Sequence, residues 1–203
     1  MTVTWKSKHA YPQLYYILTH TEFTQRKMAR DLKVHHGRRI SDFVSLLEER
    51  EYVKRTLSTT KRGKTYEVVS PIGLIRYYSN FRRMENLLLE SRELGNNRNE
   101  MMQYLNSKGA IFCLATALEF HDEYYRDPAI YAYMPDKSFL ENELPDQAKG
   151  KVKVFLYGYD VADEIEIKNK IRITPIVRTI IDLFCDNKAY AAEPLIRRMW
   201  GNE

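Results

Sequence analysis

The stretch RRISDFVSLLEER at residues 38–50, together with the strand-turn-strand pattern after it, most constrains how this chain can fold. Ile40, Phe43, Val44 and Leu47 recur at helical spacing, while Arg38, Ser41, Asp42 and Ser45 face the other way. YVKRTLST at residues 52–59 favours a strand, TKRGK at 60–64 is a basic turn with glycine, and TYEVVS at 65–70 is a returning strand. A striped helix feeding a short hairpin needs partners for its apolar side, and the preceding residues supply them. Tyr11–His20 is apolar enough for a first helix, and Thr21–Thr24 offers cap hydroxyls ahead of Gln25–Leu32, where Met28, Ala29 and Leu32 share a face. Val34–Gly37 is a short turn, with Gly37 able to take a left-handed backbone.

Charge is unevenly placed along this frame. Residues 1–95 carry 18 Lys and Arg against 10 Asp and Glu, whereas residues 96–203 carry 14 against 17. A basic first half joined to a mildly acidic second half points to a polyanion as the partner of the first half. A helix fits the major groove of DNA and offers base edges the residues at its N-terminal end. Here those are His36, Arg38, Arg39 and Ser41, with Asp42 and Ser45 one turn on. Arginine forks grip a guanine edge or a phosphate; Asp42 accepts from cytosine or caps the helix. Lys54 and Arg55 on the first strand and Lys61, Arg62 and Lys64 at the hairpin tip suit the phosphate backbone or the minor groove.

The order helix, helix, turn, helix, basic hairpin across residues 11–70 resembles the winged helix-turn-helix superfamily. The stretch MARDLKVHHGRRISDFVSLLEEREYVKR carries that resemblance in its hydrophobic spacing. It implies a domain that binds double-stranded DNA. Such domains also serve as protein-interaction modules, which is the alternative reading of the same surface. After Pro71, the pattern from Ile72 to Leu94 predicts a long amphipathic helix, with Leu74, Tyr78, Phe81 and Leu88 along one stripe. Ile75, Tyr77 and Leu89 lie off that stripe, so the helix has apolar surface to spare for a homodimer or for the second domain. The polar run Gly95–Asn99 reads as a linker. The expected fold class is therefore α+β: a winged helix-turn-helix, a long linking helix, and a small α+β domain. The expected domains are residues 1–95 and 100–203.

In the second half, Met101–Ser107 reads as a helix and Ala110–His121 as a helix buried all round. Pro128–Pro135, Val152–Tyr157, Glu164–Ile167 and Ile171–Thr174 read as strands, and Ile176–Cys185 and Ala189–Met199 as closing helices. The segments ATALEFH, PAIYAYMP, VKVFLYGYD and IRITPIVRTIIDLF are similar to the C-terminal domain of AbiE-type antitoxins, over about residues 108–187. Thr116-Ala117-Leu118, Thr174, Arg178, Thr179 and Asp182 stand at the family's motif positions. That resemblance implies a transcription regulator, antitoxin and autorepressor of an abortive-infection pair, facing a nucleotidyltransferase-like toxin. The residues themselves predict structural roles: Thr174 as a helix cap before Pro175, and Arg178 with Asp182 as an i, i+4 pair.

Other chemistry finds little footing in the sequence. Cys113 and Cys185 fit neither a metal spacing nor a disulfide framework and read as buried reduced thiols. His35 and His36 lack further ligands at a usable spacing, so no metal or other cofactor is expected. His121, Asp122, Glu123 and Asp127 trail off a buried helix without a nucleophile motif or phosphate loop, so no enzyme is expected. There is no signal-peptide core in MTVTWKSKHAYPQ and no apolar run long enough to span a membrane, so the expected location is cytoplasmic.

Overall fold

A computed structural model of the chain describes residues 5, 10–34, 38–56, 64–134, 151–160 and 165–201, with only the backbone described at Arg38. The chain is α+β and divides into two compact units between Phe81 and Arg82. That division lies upstream of the expected boundary at residues 95–100.

The first unit runs α1 (Ala10–Thr19), β1 (Glu22–Phe23), α2 (Gln25–Asp31), α3 (Arg38–Glu49), β2 (Val53–Thr56), β3 (Thr65–Val68) and α4 (Pro71–Ser79). Thr24 caps α2, its hydroxyl accepting from the Lys27 amide at 3.1 Å. The turn after α2 places Lys33 at φ 52°, so a lysine takes the left-handed position among the described residues; Gly37 lies outside them. α3 buries Ile40, Phe43, Val44 and Leu47, the expected stripe. β1, β3 and β2 form an antiparallel sheet in that order, with Val53 and Tyr66 turned into the core. Trp5 anchors the aromatic part of this core, with ring centroids 5.1 Å from Phe43 and 5.3 Å from Tyr77. Arg50 at the end of α3 lies 4.4 Å over the Tyr77 ring.

The long helix expected over Ile72–Leu94 is not formed. α4 stops at Ser79, where Asn80 closes it by donating to the Arg76 and Tyr77 carbonyls. A single 3-10 turn at Met84–Leu87 then leads into β4 (Leu88–Leu94), a strand of the second unit. Gly95–Asn99 is not a linker either. Asn97 caps α5 (Arg98–Ser107) through its Oδ1, which accepts from the Asn99 and Glu100 amides.

The second unit continues with β5 (Ile111–Phe112), α6 (Leu114–His121), β6 (Ile130–Met134), β7 (Val152–Gly158), β8 (Glu166–Lys168), β9 (Ile171–Ile173), α7 (Ile176–Cys185), a 3-10 turn at Ala189–Ala192 and α8 (Glu193–Trp200). Its six-stranded sheet has the order β4-β7-β6-β5-β9-β8, parallel at β6/β7 and β5/β9 and antiparallel elsewhere. The expected buried helix at 110–121 begins as a strand, because Leu114 takes φ 49° and only there turns the chain into α6. One sheet face contributes Ile130, Ala132, Val154 and Leu156 to a core shared with Met101, Met102 and Leu105 of α5.

Candidate nucleic-acid interface

α3 presents its apolar stripe to the core, and this alone decides which side chains reach solvent. Arg39, Ser41 and Ser45 are exposed, as are Glu48 and Glu49 near the end of the helix. Arg38 is the first residue of α3. His36, Lys61 and Arg62 fall outside the described residues. Arg39 thus puts an exposed guanidinium in the first turn of the helix, half-buried Asp42 follows it, and the exposed carboxylates Glu48 and Glu49 lie toward the C-terminus.

β2 continues the basic surface with Lys54 and Arg55, both exposed, and Lys64 is exposed just before β3. Lys54 is not a free cation: its Nζ lies 3.1 Å from Glu67 Oε2 on the neighbouring strand. The register explains this, since Lys54 stands opposite Glu67, and Glu67 stands opposite Glu22 of β1. Arg55 stands opposite Tyr66, whose ring stacks on Phe23 at 5.6 Å. Burial raises the Tyr66 hydroxyl above its ordinary pKa, so it stays neutral, and it accepts from Gln25 Nε2 at 3.4 Å.

Three further basic residues join this surface without belonging to the expected set. Arg26, Lys27 and Arg30 of α2 are all exposed, because Met28 and Ala29 take the buried side of that short helix. Only the charge density of QRKMAR hinted at them. Arg30 pairs with Asp31 at 3.1 Å, and Asp31 also accepts from Tyr16 at 3.0 Å. Guanidinium and ammonium groups at the start of α3, on α2 and on β2 can neutralise phosphates.

No family model, curated protein or solved structure matches this chain. Among the described residues no helix is long and apolar enough to cross a membrane, and no His, Cys, Asp and Glu group of three or more could hold a metal ion.

In the second unit, the residues singled out by spacing turn inward. Arg178 pairs with Asp182 on α7, Nε lying 3.0 Å from Oδ1. Local spacing carries no hint of their company. Arg82 donates to Asp182 at 2.8 Å, Asp160 at 2.8 Å and the Tyr133 hydroxyl at 2.8 Å. Arg178 also donates to Tyr133 at 2.9 Å and Asp160 at 2.7 Å. Burial works to raise the Asp160 carboxyl, yet the two guanidiniums outweigh it and hold the group down at about 2. Thr116 accepts the Tyr131 amide at 2.9 Å with its hydroxyl. Thr174 does not cap α7: Pro175 holds that position, and the Thr174 hydroxyl instead meets that of Thr179 at 2.8 Å.

His121 is buried, with Nε2 at 2.8 Å from the Thr174 carbonyl and Nδ1 at 2.9 Å from Lys168 Nζ. One tautomer satisfies both, with Nε2–H donating to the carbonyl and Nδ1 accepting from the ammonium. Burial first, and the Lys168 cation besides, lower the imidazole below its ordinary value. The carboxylates after it shape the chain. Asp122 accepts the Tyr124 amide, Asp127 accepts the Ala129 amide, and Glu119 joins the Asp127 amide to Arg98.

Proposed function

We propose that the chain is a sequence-specific DNA-binding transcription regulator whose first unit is a winged helix-turn-helix. The observation that carries this is α3: a buried apolar stripe, arginines at its N-terminal turn, and an antiparallel β2–β3 ladder directly after it. In this reading α3 enters the major groove with Arg38, Arg39 and Ser41 toward base edges, and α2 lies across the phosphates with Arg26, Lys27 and Arg30. In the same reading Lys61 and Arg62, which lie in sequence between β2 and β3, meet the phosphate backbone. The similarity of residues 108–187 to AbiE-type antitoxins extends the proposal to an antitoxin and autorepressor, acting in the cytoplasm opposite a nucleotidyltransferase-like toxin.

The experiment is a titration of the full chain against duplex DNA from upstream of its own gene and a scrambled duplex, at several salt concentrations. A regulator prefers the upstream duplex and loses affinity steeply with salt, because each neutralised phosphate releases counterions. One observation favours a second reading, a protein-interaction module. Glu67 engages Lys54, and Glu48 and Glu49 share the exposed side of α3. Affinity that is weak, indifferent to sequence and nearly independent of salt would select that module instead.

A further inference from the structure

The C-terminal turn of α6 is held by cations from two other elements. The last carbonyls of a helix have no partners within it, and positive groups beside them also suit the helix dipole. Lys168 of β8 donates from Nζ to the Phe120 carbonyl at 3.1 Å, and Arg198 of α8 donates to the His121 carbonyl at 3.5 Å. The buried His121 ring joins them, because its Nδ1 lies 2.9 Å from the same Lys168 ammonium.

The β8–β9 hairpin is therefore fastened at two places of different chemistry. Asn106 of α5 ties down its turn and β9, donating to the Lys170 carbonyl at 3.0 Å and accepting the Arg172 amide at 3.2 Å. The Asn106 carbonyl also accepts from the Arg172 guanidinium. None of these groups titrates between about pH 5 and 7.5. The fastening on α6 does, since Nδ1 accepts from Lys168 only while it keeps a lone pair, which an imidazolium lacks. We propose that His121 and Lys168 form a pH-operated latch: protonation of the imidazole expels the ammonium and releases β8 from α6, while Asn106 keeps β9 on α5.

His121 Nε2 already donates to the Thr174 carbonyl at 2.8 Å, so the arriving proton goes to Nδ1. There it sets N–H against N–H and charge against charge. The charged groups that face the ring are Lys168 and Glu166 from β8 and Arg198 from α8. On its own helix, Glu119 is paired with Arg98 at 2.7 Å, and Asp122 next to His121 accepts the Tyr124 amide. Glu166, 3.7 Å from Lys168 Nζ, favours the imidazolium and so works toward release. Burial first, and the two cations besides, keep the proton off the latched ring. A released ring titrates near the ordinary 6.5, so the latch is closed above that pH. The released fraction grows as pH falls below it, by up to about tenfold per pH unit. Among the described strands β8 then keeps only its three-residue ladder to β9. A ladder that short frays readily.

The test is nuclear magnetic resonance on the full chain between about pH 7.5 and 5, with amide exchange divided by its intrinsic rate. His121 is the only histidine of the second unit, and comparison with His121→Gln assigns its ring. Lys168 and Glu166 stand opposite Ile171 and Ile173 across a two-residue turn, a geometry in which both amides donate to β9. Both should lose protection as His121 titrates, whereas the Arg172 amide, held by Asn106, should keep its own. His121→Gln should abolish the pH dependence. In Lys168→Met the opposing cation is gone, so His121 should titrate at a higher pH than in the parent, with β8 protection low throughout. Circular dichroism equal to the parent's confirms that each variant folds. Constant β8 protection across the His121 titration, an equal loss at Arg172, the same loss in His121→Gln, or an unmoved His121 titration in Lys168→Met would overturn the proposal.

Discussion

Replacing Asp182 with asparagine should destabilise the second unit more than the same change at Asp160. Asp182 is fully buried and accepts from Arg82 at 2.8 Å and from Arg178 at 3.0 Å and 3.1 Å. The side chains of Arg178 and Arg82 are only 1% and 7% exposed, so water cannot replace the lost carboxylate. An asparagine there leaves Asp160 alone against two buried guanidiniums and turns an amide N–H₂ or a neutral oxygen toward them. Breaking a buried pair in this way costs about 3–5 kcal/mol, which for a unit of this size lowers the unfolding midpoint by roughly 10–20 °C. Asp160 is 23% exposed, so Asp160→Asn loses charge-assisted bonds where water can help, at a smaller cost of about 1.5–3 kcal/mol. Denaturant unfolding followed by circular dichroism measures both, provided the slopes match the parent's. The Arg178→Met/Asp182→Leu chain removes one charge of each sign and should be more stable than Asp182→Asn. A cost within about 1 kcal/mol for Asp182→Asn, or a larger one for Asp160→Asn, would refute the reasoning.

Thr116→Val keeps the shape of the side chain but leaves the buried Tyr131 amide without its acceptor, so stability should fall by about 1–3 kcal/mol in the same assay. The Asp160 carboxyl is depressed in the fold to about 2, so its contribution is complete above the unfolded value near 3.9 and is lost as pH falls through about 2. Asp160→Asn should flatten the stability profile in that window. The His121 imidazole is lowered by burial, so its contribution is complete above the unfolded value near 6.5 and drains away as pH falls below it. His121→Gln should remove that slope in unfolding measured across the same range. Glu67→Gln releases Lys54 from its ion pair, so duplex DNA affinity should rise and its salt dependence steepen, read by fluorescence anisotropy.

Where local preference and tertiary pairing agree, the sequence is a good guide. Ile40, Phe43, Val44 and Leu47 are buried at the spacing that predicts them, and Val53 to Thr56 and Thr65 to Val68 pair as strands. Leu88–Leu94 misleads because LLESREL consists mostly of good helix formers, and only pairing with β7, Leu94 opposite Val152, makes it a strand. Ile111–Phe112 is hidden for another reason. A two-residue strand buried on both faces has no period, and the left-handed turn at Leu114 carries no glycine to announce it. The i, i+4 spacing announces Arg178 with Asp182, but Arg82, Tyr133 and Asp160 come from distant parts of the chain and leave no local trace. On the basic face of the first unit, Lys54 is legible as an exposed cation, whereas its neutralising neighbour depends on a cross-strand register.

Under the proposed function, α3 reads bases while the basic residues on and between β2 and β3 hold the phosphate backbone. The direct measurement compares Arg39→Ala and Lys61→Ala with the parent on the upstream and scrambled duplexes, as log affinity against log salt. Arg39→Ala should lose roughly 1–3 kcal/mol on the upstream duplex and little on the scrambled one. Lys61→Ala should weaken both about equally and reduce the salt slope by about one unit. If both variants bind both duplexes as the parent does, the basic face is a solvated surface and the DNA-binding account is wrong.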